Sequence, residues 1–216
     1  MSIQDIIDNK VYIGSLKNES HPKTSPYWLD VVNGLVVLNP ESIVKQMEGA
    51  KEKIQTVKKA NGSILLICEK KMYSEEAQAL CEKNGYSYLT HKTPGGFLTN
   101  FDTLIKRIES LNEMAAFMKG DNFQTLTKKE QLIYQRKFDK INKVYKGAKS
   151  LNKRPDLVLV VDGAEMGGII DEIEQTNLES IVLASSNYKR YFKKWDIVAN
   201  IMSHKSLDFV LKYILS

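Results

Sequence analysis

The sequence predicts a layered α/β domain around a parallel central sheet, carrying an inserted antiparallel coiled-coil helical hairpin. Four short apolar runs point to the sheet: Leu35-Val-Val-Leu38, Ile64-Leu-Leu-Ile-Cys68, Leu157-Val-Leu-Val-Val161 and Ile181-Val-Leu-Ala184. They are continuous and rich in branched residues, as strands covered on both faces of a parallel sheet are. Longer helical patterns alternate with them, the signature of right-handed crossovers. The insertion shows in two apolar sets, Phe101, Leu104, Ile108, Leu111, Ala115, Met118 and then Tyr134, Phe138, Ile141, Tyr145, Ala148. Both step by three and four, the spacing of a coiled-coil seam.

Taken in order, the first long helix is predicted over about 41–60. Asn39 precedes it and Pro40 sits at its first position, where a missing N–H costs nothing. Asn61-Gly62 is a plausible stop. Further helices are predicted at about 73–84, 166–176 and 206–215, with weaker strands at Tyr86–Leu89 and Ile197–Ile201. The hairpin helices fall at about 99–118 and 126–149, and Gly120, Asp121 and Asn122 make the turn between them. The predicted division is an α/β body over 1–98 and 151–216, with the hairpin over 99–150.

At 216 residues the chain can bury a sizeable core. No apolar stretch approaches the roughly 20 residues of a membrane helix. The N-terminus has neither a signal-peptide nor a transit-peptide pattern, so the protein is expected to be used where it is made. Cys68 and Cys81 are the only cysteines, each in an apolar stretch and neither in a CxxC pair. Buried free thiols are expected, not a disulfide scaffold or a zinc finger.

Charge is unevenly placed. Residues 104–154 hold 13 Lys and Arg against 5 Asp and Glu, a net of +8. The whole chain is 31 against 26, or +5, so the remainder carries −3. A basic projection on a slightly acidic body predicts a surface that meets phosphate. On the second hairpin helix, Lys129, Arg136, Lys140, Lys143 and Lys146 are separated by near-whole turns and can form a stripe beside the seam, with Lys128 at its start. A second cluster, Lys189-Arg190-Tyr191-Phe192-Lys193-Lys194-Trp195, interleaves cations with aromatics. That pattern suits looped RNA, whose bases stack on rings; a buried aromatic turn with solvated lysines is the alternative.

Catalytic patterns are poor. Asp162-Gly-Ala-Glu165 follows a buried strand, where α/β enzymes often keep carboxylates, but the preferred reading is a strand-end Asp capping the next helix. His21, His91 and His204 lie one per segment. Gly95-Gly96 has neither a dinucleotide fingerprint nor a Lys-Ser/Thr partner. Two adjacent glycines before a helix predict either a positive φ at one of them or a partner backbone that approaches too closely for a Cβ, with Asn100 as a cap. No catalytic residue, metal site or cofactor is expected.

Four motifs in order carry a resemblance. His91-Lys-Thr-Pro-Gly-Gly-Phe-Leu-Thr-Asn100, Val11-Tyr-Ile-Gly14, Leu126-Thr-Lys-Lys-Glu130 and Arg154-Pro-Asp-Leu-Val-Leu-Val-Val-Asp162 resemble the small-subunit ribosomal protein two (S-two) family of bacteria and organelles. The resemblance spans residue 11 to about 185. It implies a Rossmann-like or flavodoxin-like body with a coiled-coil hairpin and no catalytic activity. It also implies contacts to small-subunit ribosomal RNA and neighbouring ribosomal proteins, with docking of ribosomal protein S-one in many bacteria. His91, Lys92, Gly95, Gly96 and Asn100 would then join the hairpin cations and Lys189, Arg190, Lys193 and Lys194 as RNA-contacting residues. The chain departs from the family at Asn187–Trp195, where cations and aromatics replace an acidic stretch, putting any metal site there in doubt. The expected role is structural, on a bacterial ribosome in the cytoplasm or on an organelle-encoded one. The rival is a small sugar-phosphate or nucleotide-binding α/β enzyme using the strand ends near Asp162 and Gly95.

Overall fold

The computed structural model describes all 216 residues, and its N-terminal part departs from the predicted pattern. Helix α1 (Ile3–Asp8) starts on a capping box between Ser2 and Asp5. Strands β1 (Ile13–Leu16), β2 (Trp28–Val32) and β3 (Leu35–Leu38) then form a separate antiparallel sheet in the order β1-β3-β2. Leu35–Leu38 is therefore not a strand of the parallel sheet. The physical reason lies just before it. Asn33 and Gly34 both have positive φ, +50° and +78°, the two-residue turn that joins adjacent antiparallel strands. The run is also covered on one side only: Val36 and Leu38 are buried while Leu35 is 39% exposed.

Helix α2 (Pro40–Lys59) begins as predicted, with the Asn39 side chain accepting from the Glu41 N–H. Its buried positions, Ile43, Met47, Ala50, Ile54 and Val57, step by four and three along one face. Next come β4 (Ile64–Ile67), α3 (Ser74–Asn84) and β5 (Ser87–Leu89). Then follow α4 (Phe101–Lys119), a short α5 (Asp121–Gln124) and α6 (Lys128–Tyr145). The chain closes with β6 (Leu157–Val161), α7 (Gly167–Thr176), β7 (Glu179–Ala184), β8 (Ile197–Val198) and α8 (His204–Leu215).

The last five strands make one parallel sheet in the order β5-β4-β6-β7-β8. Counted along the sheet's own strands this is 2-1-3-4-5, a doubly wound order with its switch point between β4 and β6. Side chains alternate between two cores. Leu157, Leu159 and Val161 join Ile64, Leu66, α2 and α8 on one face. Val158 and Val160 join Leu65, Ile67, α7 and the roots of α4 and α6 on the other. Each central strand reads as an unbroken apolar run because both of its faces are covered.

Both α4 and α6 contribute to the second core. Phe101, Leu104, Ile108 and Leu111 of α4 are buried there with Tyr145 of α6. At the far end, Phe117 packs on Tyr134 with ring centroids 5.2 Å apart, and both touch Phe123 of α5. The turn predicted at Gly120–Asn122 is thus wider, holding the short helix α5.

Cys68 and Cys81 are free, buried and in the first core. Burial pushes their thiols up to about 11 and about 12. With so little thiolate at pH 8, both are expected to resist a disulfide exchange reagent in the native protein and react at once in denaturant. Prompt reaction of either under native conditions would contradict this packing.

Candidate nucleic-acid interface

The glycine turn between β5 and α4 is built around a carboxylate. Gly96 adopts φ +79° and Gly95 does not need the left-handed region. The Gly96 and Leu98 N–H groups donate to Glu172 of α7 at 2.6 and 2.8 Å, and the Thr99 N–H approaches it at 3.4 Å. These donors, which a phosphate could have met, are filled by the protein itself. His91, Lys92, Gly95 and Asn100 are the residues of this turn left exposed. Asn100 does not cap α4 with its side chain, contrary to expectation. At φ −108°, ψ 34° it lies outside the extended conformation that aims a capping oxygen at the helix N–H groups. Glu172 instead ties down the turn that leads into α4. No local pattern could have revealed it, since it comes from 76 positions away.

The glycines make separable predictions. A Cβ at Gly96 would hold a left-handed φ, so Gly96→Ala is expected to cost about 1–2 kcal/mol. A Cβ at Gly95 would meet nothing within 4 Å, so Gly95→Ala should melt like the parent. Equal melting temperatures for both variants would remove the strained turn, and a Gly95→Ala variant that is stable but fails to bind RNA would mark a close backbone approach.

On α6 the cations take one side. Tyr134, Phe138, Ile141 and Tyr145 are turned inward, while Lys129, Arg136, Lys140 and Lys143 are exposed. At 100° per residue these four fall opposite the packed face, not beside it as the seam argument suggested. None lies within ion-pair reach of a carboxylate. The helix's two acids are engaged elsewhere. Glu130 closes a capping box on Thr127, whose hydroxyl and N–H hold that carboxyl below its ordinary value. Asp139 accepts from Gln135 at 2.9 Å. Lys128 is exposed in the first turn, and Lys146 stands apart, 4.0 Å from Glu82 of the body.

The loop before β8 is half neutralised. Arg190 pairs with Asp171 at 2.6 Å and Glu174 at 3.1 Å, and Lys193 pairs with Glu174 at 3.2 Å. Lys194 lies over Trp195, and Lys189 is exposed. Of the aromatics, Phe192 and Trp195 pack against the core. Only Tyr191 is open, 69% exposed, with the Lys23 ammonium 4.9 Å from its ring centre.

At the switch point Asp162 is 5% exposed and sits at φ +68°. It does not cap α7, whose N-cap position is Met166. Its partner is Lys70, at 2.6 Å, which follows β4 and was missed from sequence because it lies 92 positions earlier. Two cavities of about 240 and 270 Å³ adjoin here, both lined by Glu69, Glu165 and Met166. The three histidines do not converge: His21 accepts from the Lys23 N–H, His204 pairs with Glu76, and His91 is exposed. No three His, Cys, Asp or Glu residues are placed to hold a metal ion.

Residues 6–216 match the family described as Ribosomal protein S2. The chain belongs to that family. It is similar to the small ribosomal subunit protein uS2 of Cytophaga hutchinsonii, 26% identical over 211 residues that cover 98% of this chain and 83% of the relative. The uS2 of Amoebophilus asiaticus is 25% identical over 209 residues, 97% of this chain and 67% of the relative. That of Corynebacterium kroppenstedtii is 27% identical over 188 residues, 87% and 66% of the two chains.

The S2 motifs acquire physical meaning in this fold. In Arg154–Asp162, Asp156 accepts from the Ser63 N–H at 2.7 Å and the Ser63 hydroxyl at 2.9 Å, stapling the starts of β4 and β6. In Val11–Gly14, a Cβ on Gly14 would lie 2.9 Å from the Ser186 hydroxyl, so only glycine lets the two sheets meet there. Leu126–Glu130 is the capping box that starts α6.

Proposed function

We propose that this chain is a structural constituent of the small ribosomal subunit and that it grips ribosomal RNA through the outer face of α6. The observation that carries the contact is the row Lys129, Arg136, Lys140 and Lys143, four exposed cations without acidic partners. Such a row neutralises phosphates without reading sequence. In this reading residues 99–150 act as one inserted coiled-coil hairpin on a body of 1–98 and 151–216. Lys189 and Tyr191, with His91 and Lys92 beyond the glycine turn, add secondary contacts.

The protein is not an enzyme: its family is structural, and the sugar-phosphate or nucleotide enzyme finds no support in it. The body is the part proposed to meet neighbouring small-subunit proteins, S-one among the candidates. Its exposed apolar row supports this, Leu16 and Val32 both pairing with Leu35 across the antiparallel sheet. No helix is long and apolar enough to cross a membrane. The relatives named above are bacterial, which favours a bacterial ribosome in the cytoplasm over an organelle-encoded one. Sedimentation tests the reading. The protein should travel with small subunits at moderate salt and be released as salt rises; failure to travel with them would sink it.

A further inference from the structure

The tip of the hairpin combines features that a plain phosphate-binding helix does not need. Between the end of α4 and the first turns of α6 runs an open groove of about 440 Å³, walled by Phe117, Leu126, Ile133 and Tyr134. Ile133 is 57% exposed and Phe117 36%. Together these side chains, from the facing ends of two helices, form one contiguous exposed apolar patch of the kind that suits a contact site. Phe123 meets both rings edge-on, and Phe117 and Tyr134 lie tilted at 45° to each other, so the two present one apolar wall.

The charge around the groove selects its occupant. Lys137 lines it, and Lys129 and Arg136 precede and follow Ile133 by about one turn. All three are exposed and lack an acidic partner, whereas Glu130, the one acid lining the groove, is tied to Thr127. A partner must therefore bring an apolar planar face flanked closely by negative charge. An unpaired nucleotide has that form, with a base that stacks on rings and phosphates on either side. A paired base does not, since its faces are covered within the helix. We infer that the groove takes an unpaired nucleobase from a bulge or loop beside the duplex held by the α6 cations. This rests on the RNA contact proposed above.

The test uses the full chain and two RNA hairpins with the same duplex, one carrying a single bulged nucleotide, bound at one fixed salt concentration. The bulged RNA is expected to bind about tenfold more tightly, the scale of one base stacked on an aromatic wall. Ile133→Ser and Phe117→Leu should each erase that preference and leave duplex affinity unchanged. Ile133 is more than half exposed, so its variant is expected to fold. Equal binding of the two RNAs by the parent would overturn the inference, leave the proposed function standing, and give the groove to a neighbouring protein. A preference that survives both substitutions would also overturn it. Binding of neither RNA would overturn the proposed RNA contact and this inference together.

Discussion

Reversing Lys129, Arg136, Lys140 and Lys143 to Glu is expected to lower incorporation into small subunits at least tenfold while the protein stays folded. The four side chains face away from the packed side of α6, so far-ultraviolet circular dichroism should not change. Each duplex phosphate contact contributes roughly −0.9 to the slope of log affinity against log salt. Loss of four contacts should therefore flatten the salt dependence by about 3 to 4. Reversal, as opposed to neutralisation, adds repulsion along the same face. The acids already on α6 cannot compensate, because Glu130 closes the helix cap and Asp139 is held by Gln135. Unchanged incorporation of the quadruple variant would mean that this face is merely solvated.

Glu172→Ala should be the most destabilising single change near the candidate interface. It removes the acceptor of two short hydrogen bonds from the Gly96 and Leu98 N–H groups and leaves those donors in a half-buried turn. Bonds to a charged acceptor are worth about 1.5–3 kcal/mol each, so a loss on the order of 3 kcal/mol is expected. For a chain of this size that is roughly a 10 °C fall in melting temperature. Glu172→Gln keeps an acceptor oxygen and should lose about half as much. If Glu172→Ala melted like the parent, the turn would be held by its own backbone and not by α7.

The parallel strands were legible because their physics is local to each run. A strand buried on both faces needs an unbroken apolar stretch, and β4, β6 and β7 show one. The antiparallel sheet was not legible in the same way. In β2 the half-buried Trp28 and Val31 alternate irregularly with exposed Leu29, Asp30 and Val32, and no period stands out. Leu35–Leu38 resembles a buried strand until the Asn33-Gly34 turn assigns it a neighbour. Spacing showed that the α6 cations share one side of the helix, but it put that row beside the seam, and the packing of Tyr134, Phe138, Ile141 and Tyr145 turns it to the opposite side. Glu172 and Lys70 could not be placed from spacing at all, because what they touch is decided by which strands and helices become neighbours. Arg190 and Lys193 show the same limit from the other side. Read as free cations, they are tied to the acidic edge of α7.

The pairing of β4 with β6 has a consequence for the order in which the molecule assembles. Ser63 and Asp156, which staple the starts of those strands, are 93 positions apart. During synthesis β4 therefore waits, with one edge of its backbone unpaired, until the whole hairpin has been made. The contacts within α4–α6 are much closer in sequence and can form first, converting a long floppy closure into a short one. Once paired, the two helices shorten the closure that brings the starts of β4 and β6 together, so the helical pair is placed to serve as a splint for the central strands.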